Sequence, residues 1–592
     1  MRVADYIMQR LYDAGAKHLF MVTGRGVLYL SDAAAKHEKM ECVSVHHEQA
    51  GAYAAMAYAQ YNQKIGAVLV STGCASTNAI TPVLCSWQDD VPLVVISGQN
   101  TLKETTRYTG VAVRTFGQQE ADVISLVKPI TKYAVMLEDP QRVAYELDKA
   151  LYLAQSGRKG PVWIDVPLDI QNMRVEPETL ERFVFPEKIQ DITKSDINYV
   201  VTALKSAKRP VCLIGSGIRS AAAEELLQLF VERTNIPVVC SSSATDVYNA
   251  GNELFIGTIG SMGANRAANF AIQNSDLVLV LGNRLSSMTV GSSPEKFARD
   301  AKIIVVDIDS EEIKKNTVQA DYFVHGNVLE FLKQILASNL SGTDDLWINK
   351  CKHWKAVFPK CEEKYKKQDK TDLYYLADRL SMYLEKDAIV VSDAGIEELI
   401  IPTTVDFYGE RRCLHPNSQG AMGYALPAAV GAYYASGKQV VAVIGDGSIM
   451  MNVQELQTVT YKKIPLKVIV VNNNCYAVIR KRQKDLFRTR TVGTDSGDGV
   501  SCPDFGKVAA CFGLAYEKIE KSSEIDRKLP QVLSKKESVV CEVMAPEDQE
   551  YICCAYARSL SGRFVQRPLE DQAPFMERDL FLAEMIVEPI DQ

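Results

Sequence analysis

The stretch Val443-Ile444-Gly445-Asp446-Gly447-Ser448, followed by Gln454-Glu455-Leu456 and then by Lys467-Val468-Ile469-Val470-Val471-Asn472-Asn473, decides the fold class. A β-branched run ends in a Gly-flanked acid, a helical segment follows, and a second β-branched run ends in Asn. This is a βαβ unit. A right-handed crossover brings the two strand ends to one edge of a parallel sheet, so Asp446 and Asn473 converge. Two oxygen ligands there, with a helix N-terminus near Ser448, suit a hard cation such as Mg2+ bridging a diphosphate. Gly445 and Gly447 let backbone N–H groups approach the phosphates.

The same alternation extends outward in both directions. Ala67-Val68-Leu69-Val70, Leu93-Val94-Val95-Ile96, Val211-Cys212-Leu213-Ile214, Leu277-Val278-Leu279-Val280 and Ile303-Ile304-Val305-Val306 are continuous apolar runs with helical stretches between them. Such runs mark parallel sheets covered on both faces, and the class is α/β. At roughly 100–200 residues per domain, 592 residues predict about three to four domains. Residues 171–195, with Pro177 and Pro186, and residues 338–370, rich in Lys and Glu, read as linkers. They leave doubly wound units at 1–175, 190–340 and 365–550. The first and third have corresponding features. Residues 551–592 form a tail that composition does not place: lid, subunit arm and frayed end all stay open.

Composition excludes several classes. With 66 Lys and Arg against 73 Asp and Glu, the chain carries a net charge of −7 and has no long basic block, so it lacks the footprint of a nucleic-acid binder. Hydrophobic residues at 47% and charged residues at 23% exclude disorder. No run approaches the roughly 18 apolar residues of a membrane span, and Met1-Arg2-Val3-Ala4-Asp5 fits an amphipathic helix in place of a signal peptide. The 14 cysteines form no CxxC pair, and Cys212 and Cys240 sit inside apolar runs. Free thiols in a reducing cytoplasm are the expectation.

The spacing from Asp446 to Asn473 resembles the thiamine-diphosphate-binding motif, and further matches accompany it. They are Val45-His46-His47-Glu48-Gln49-Ala50, Ser71-Thr72-Gly73-Cys74-Ala75-Ser76-Thr77-Asn78, Asp90-Val91-Pro92, Gln119-Glu120, Thr131-Lys132-Tyr133, Gly157-Arg158-Lys159-Gly160-Pro161, Gly420-Ala421-Met422-Gly423 and Leu426-Pro427-Ala428. Over about residues 1–550 the chain resembles the acetolactate synthase-like, thiamine-diphosphate-dependent enzymes. The resemblance implies a pyrimidine-binding N-terminal domain and a diphosphate-binding C-terminal domain facing each other across a subunit interface. A homodimer is then the minimum, with a homotetramer left open.

In such enzymes Glu48 would hydrogen-bond the aminopyrimidine and, with Gln119, act in catalysis. Gly24, Gly73, Asn78 and Gly395 would contact the cofactor. The Gly420 carbonyl would receive the amino group, and Met422 would support the bent cofactor. Gly445, Gly447 and Ser448 would line the diphosphate, and Asp446, Asn473 and the Cys475 carbonyl would hold Mg2+. The implied chemistry is decarboxylation of a 2-keto acid, with pyruvate expected, and transfer of its two-carbon acyl anion to a carbonyl acceptor.

The middle unit resembles the central domain of the flavin-containing members. Val211-Cys212-Leu213-Ile214-Gly215-Ser216-Gly217 enters a GxG turn, with Ser220 where a third glycine would stand. The resemblance implies FAD at Gly215, Gly217, Gly282, Arg284, Asp307, Asn327 and Arg158. The alternative is an empty or ADP-filled cleft. Because carboligation transfers no net electrons, a bound flavin would be structural.

Two positions depart from acetolactate synthases. Met288 replaces an arginine that clamps the second keto acid, and a thioether cannot substitute for a guanidinium. Arg482 replaces a tryptophan of the acceptor pocket. With Gln118 and Arg567-Pro568-Leu569-Glu570-Asp571, these departures resemble the members of surface-polysaccharide pathways. The expected acceptor is therefore a nucleotide-linked keto-deoxysugar. The alternatives are acetolactate synthesis from two pyruvates, C–C hydrolysis, or simple decarboxylation.

Overall fold

The computed structural model describes residues 1–186, 192–559 and 561–590. The linker expected at 171–195 and the unit expected to begin at 190 fall partly on residues 187–191, outside the described residues. So do positions 560 and 591–592 of the tail.

Three six-stranded, all-parallel sheets succeed one another along the chain. The first comprises β1 (His18–Met21), β2 (Glu41–Ser44), β3 (Gly66–Val70), β4 (Leu93–Gln99), β5 (Tyr133–Met136) and β6 (Val162–Pro167), in the order β2-β1-β3-β4-β6-β5. The second comprises β7 (Pro210–Ile214), β8 (Val238–Cys240), β9 (Phe255–Thr258), β10 (Leu277–Leu281), β11 (Lys302–Asp307) and β12 (Tyr322–His325), in the order β12-β11-β10-β7-β8-β9. The third comprises β13 (Ile389–Ser392), β14 (Arg412–Leu414), β15 (Val440–Gly445), β16 (Lys467–Asn472), β17 (Ala515–Ile519) and β18 (Val539–Met544), in the order β14-β13-β15-β16-β18-β17. All seven apolar runs of the sequence are central strands of these sheets, buried along their length because helices cover both faces.

The first and third sheets have the same order, with the second strand outermost and the direction of winding reversing between the first and third strands. The second sheet reverses between β7 and β10. Ligands of open parallel sheets bind at such reversals, beyond the carboxyl ends of the strands.

Equivalent helices of the first and third units pack together. Glu48–Asn62 follows β2, Ala425–Ser436 follows β14, and both are rich in alanine. Any side chain at Gly431 would collide with the Ala54 carbonyl. Tyr53 meets Tyr424 edge-on at 5.4 Å, and the Tyr424 hydroxyl donates to Gln60 at 2.6 Å. Residues of both helices belong to one hydrophobic core.

Two expectations are corrected, and the described part of the tail, left open by the sequence, is placed. Residues 338–370 are not a free linker: Asp345–Val357 is a helix whose Trp347 and Trp354 are buried against Phe270, with the Trp347 indole N–H donating to the Pro210 carbonyl at 2.9 Å. Each such side chain stabilises the fold by about 1.5–3 kcal/mol, enough to dock a segment that is otherwise Lys- and Asp-rich. The helix expected near Ser448 is a single 3-10 turn at Ile449–Met451, and the α-helix begins only at Glu455. Asn452 interrupts them with an extended φ of −139°, its amide donating to the Gly423 carbonyl at 2.9 Å. The tail is neither lid nor frayed end. It runs back over the central unit, where Glu570 accepts from Arg299 at 2.8 Å and Gln273 at 2.6 Å, and Arg266 donates to the Gln572 carbonyl at 3.0 Å. Phe581 packs on Phe270. Among the described residues no helix is long and apolar enough to cross a membrane.

Candidate active site

At the reversal of the first sheet the chain leaves β1 through Gly24 and β3 through Ser71-Thr72-Gly73. Gly73 has φ +64°, and a side chain there would overlap the Gln119 carbonyl, so Gly73 and Gln119 are pressed together. A Cβ on Gly24 would collide with the Ser71 hydroxyl. Glu48 opens its helix at the edge of this recess, where the Asn78 amide donates to its carboxylate at 2.9 Å. The structure thus brings Gly24, Glu48, Gly73, Asn78 and Gln119 into one glycine-lined recess. The Gln118 side chain accepts from Arg25, the residue after Gly24, at 2.6 Å.

The reversal of the third sheet gathers the second set. Asp446 follows β15, and its carboxylate accepts from the Gly447 N–H and the Asn474 N–H, both at 2.7 Å. Burial still pushes the Asp446 carboxyl up to about 6. Asn473, one residue past β16, accepts from the Cys475 N–H at 3.1 Å, so Asp446, Asn473 and Cys475 share a strand-end loop. A Cβ on Gly447 would enter the Tyr476 ring, and Gly395 holds φ +95° beside Glu397. Gly420, at φ +55°, lies against Glu398. Met422 is half-buried, and its neighbour Gly423 donates to Asp393 at 2.9 Å.

Sequence reasoning missed Asp393. It follows β13 as Asp446 follows β15, and the run Ser392-Asp393-Ala394-Gly395 is the signal that was available. Its carboxylate accepts from the N–H groups of Ala394, Gly423 and Ala425 at 2.7–2.9 Å, yet burial raises it to about 7. Burial also holds Glu397 well above the usual carboxylate range, with Asp446 and Asp393 adding to the shift. Crowded acids at a reversal, with main-chain donors and oxygen-only ligands, fit a hard divalent cation and the diphosphate it would carry.

The reversal of the second sheet opens a cleft that is partly continuous with solvent. Gly215, Gly217, Gly282, Arg284, Asp307, Asn327 and Arg158 all line it. A Cβ on Gly217 would meet the Gly282 Cα at 2.7 Å, which explains two glycines there. Arg158 is held by Asp90 at 2.7 Å and Glu312 at 2.6 Å, and burial pushes Asp307 up to about 6. The close-packed glycines and the two lining arginines, Arg158 and Arg284, fit a dinucleotide.

Met288 and Arg482, far apart in sequence, attach to one loop. The Ser261 N–H donates to the Met288 carbonyl at 2.8 Å, and the Arg482 guanidinium lies 3.6 Å from the Met262 sulfur. The cationic run around Arg482 is largely neutralised: Arg480 pairs with Asp495 at 2.9 Å, Lys481 with Asp485 at 3.0 Å, and Lys484 with Asp548 at 3.3 Å.

Two sheets of one order, one ending in a glycine recess beside Glu48 and the other in strand-end oxygen ligands, describe an enzyme that works through thiamine diphosphate. Comparison with known proteins agrees. Residues 1–126 match the model of the thiamine pyrophosphate enzyme N-terminal TPP binding domain, 197–335 the central domain, and 393–543 the C-terminal TPP binding domain. The chain is 32% identical to the acetolactate synthase large subunit of Haemophilus influenzae, over 96% of this chain and 99% of that one. It is 32% identical to the large subunit from Corynebacterium glutamicum, over 93% and 88% respectively. With acetolactate synthase isozyme 3 large subunit of Escherichia coli it shares 30%, over 90% and 92%. The chain belongs to the thiamine pyrophosphate enzyme family, as a carboligating enzyme akin to acetolactate synthases.

Proposed function

We propose that the protein decarboxylates pyruvate and joins the resulting two-carbon unit to a second 2-keto acid, giving an acetolactate-type product. The relatives favour this keto-acid acceptor, raised above as the alternative, over the sugar acceptor. The observation that carries the reading is the Glu48–Asn78 pair in its glycine recess, matched on a like-ordered sheet by Asp446 and Asn473.

Thiamine diphosphate, when bound, supplies the carbon nucleophile and the electron sink. On this reading the chain's own groups do the rest. The Asn78 amide fixes the Glu48 carboxyl, which exchanges a proton with the aminopyrimidine. Asp446, Asn473 and the Cys475 carbonyl hold Mg2+, while Gly445, Gly447 and Ser448 leave room for the phosphates. Gly395 lets the backbone approach them. The Gly420 carbonyl and Met422 would orient the ring, and Gln119 would act with Glu48 in catalysis. The working unit is a homodimer or larger, and the central cleft takes FAD. A cytoplasmic setting fits free, buried thiols such as Cys212 and Cys240.

One observation favours a second reading, in which the acceptor is a nucleotide-linked keto-sugar: Met288 and Arg482 both contact the Ser261-Met262 segment, one lacking a guanidinium and the other adding one. Incubation with pyruvate, thiamine diphosphate and Mg2+, with and without each acceptor class, separates the readings by mass spectrometry of products. Acetolactate formed at half the rate of pyruvate consumption, two pyruvates giving one acetolactate and one carbon dioxide, is expected. A sugar adduct formed to its exclusion establishes the second reading, and acetaldehyde or acetate alone overturns both.

A further inference from the structure

One loop joins the central cleft to the candidate thiamine site. It runs from the end of β14 to the helix Ala425–Ser436. Its first half, with His415, Asn417 and Ser418, lines the cleft beside Arg284 and Gly282. Its second half carries Gly420, Met422 and Gly423, so six residues separate the last cleft-lining position, Ser418, from the start of the helix.

Each end of the loop is held by a different domain. On the cleft side, the Ser242 hydroxyl donates to Asn417 at 2.6 Å, and His415 Nε2 lies 3.0 Å from the Ser242 carbonyl. Arg284 donates to the Ser418 hydroxyl at 2.8 Å. The N-terminal domain adds Asp89, which accepts from the Ser418 N–H at 3.0 Å, and Gln88, which accepts from the Gln419 amide at 2.6 Å. The far end is tied to Asp393 through the N–H groups of Gly423 and Ala425. Between the two, Gly420 and Gly423 hold φ +55° and +81°, and the Gly420 N–H donates to the Pro416 carbonyl at 2.8 Å. A buried pair reinforces the link: His415 Nδ1 stands 3.8 Å from Glu398, whose other oxygen lies against Gly420. At that distance His415 Nδ1 and Glu398 attract without a hydrogen bond, and Nδ1 has no other partner among the described residues.

We propose that His415, Asn417 and Ser418 are positioning residues that couple the two sites: a nucleotide in the central cleft fixes the loop, and the thiamine end then binds its cofactor more tightly. The coupling rests on the cofactor assignments of the preceding subsection. Its physical basis is shared ordering. A loop with two left-handed glycines has freedom to lose, and a cleft ligand that contacts residues 415–418 removes part of it. The second ligand then meets a loop already arranged, which gives positive cooperativity without a change of fold, and the effect is reciprocal.

The test is calorimetric, at constant Mg2+, on protein stripped of bound nucleotide. Thiamine diphosphate affinity is measured alone and with saturating FAD or ADP. FAD is expected to tighten it by about fivefold or more. In the double variant Ser418→Ala, Asn417→Ala, the gain should shrink to less than about twofold on the same scale, while FAD still binds. On the wild type, hydrogen exchange at residues 420–423 should slow when FAD alone is added. Equal thiamine diphosphate affinity with and without bound FAD overturns the coupling and leaves the cleft assignment standing, as does full coupling in the variant. Failure of both FAD and ADP to bind overturns the cleft assignment and the coupling together.

Discussion

At the reversal of the first sheet the chain presents Gly24, Ser71, Thr72 and Gly73, whereas at the same point of the third sheet it presents Asp393, Gly395, Asp446 and Gly447. The topology is identical and the chemistry is opposite. One end offers hydroxyls and bare backbone, with a single carboxylate, Glu48, delivered from the helix after the second strand. The other offers buried acids, with Met422 delivered from the loop before the equivalent helix. A sheet order therefore fixes where a ligand sits, and the residues at the strand ends fix what kind it is. The recess suits a flat organic ring that exchanges protons; the acidic end needs a cation before an anion can approach.

The sharpest way to break this contrast is Glu48→Gln. It removes the one acid of the recess without changing its shape, so turnover should fall by about 100- to 10,000-fold while thiamine diphosphate still binds. Steady-state rates alongside calorimetry check this, and near-normal turnover would refute the role of Glu48. Asp446→Asn attacks the other end. It should weaken Mg2+-dependent cofactor binding by more than the roughly 100-fold that follows loss of a supporting group around a metal. Unaltered binding there would place the cation elsewhere.

A third variant asks whether buried acids behave alike away from the reversals. Asp165, on β6, accepts from the Ser97 hydroxyl at 2.5 Å and the Gln99 amide at 3.1 Å, and burial pushes it from the usual 3.8 up to about 7. Because the fold prefers the protonated form, the stability it contributes is complete below pH 3.8 and is lost as pH rises through about 7. Asp165→Asn cannot ionise, so melting temperature should depend less on pH across that interval. An unchanged profile would show that Asp165 does not titrate there.

Much of this was legible in the sequence. Fully buried parallel strands have continuous apolar runs, so the sheets and the β15–β16 crossover could be read directly. A glycine-flanked acid at one strand end and an asparagine at the next pointed to Asp446 and Asn473, and resemblance supplied Glu48. What stayed hidden depends on distant partners. Asp393 looks like any strand-end acid until its backbone donors are seen, and His415 acquires meaning only from Ser242 and Glu398. Trp347 and Trp354 lie in a run charged enough to pass for a linker, because an amphipathic helix shows its apolar side to one neighbour only. Met288 and Arg482 gave no hint of contacting the same segment, Ser261-Met262.

The tail has a consequence for how the molecule is made. Its last residues complete the face of the central domain: Asn274 accepts from the N–H groups of Ile586 and Val587 at 2.8 and 2.9 Å, and buried Glu570 answers Arg299. Those partners are translated hundreds of residues after the sheet they cover. During synthesis the central domain therefore waits, with buried polar groups unanswered, while the C-terminal domain is still being translated. A chain that stalls just before residue 570 would carry every strand of its three sheets and still expose that unfinished face.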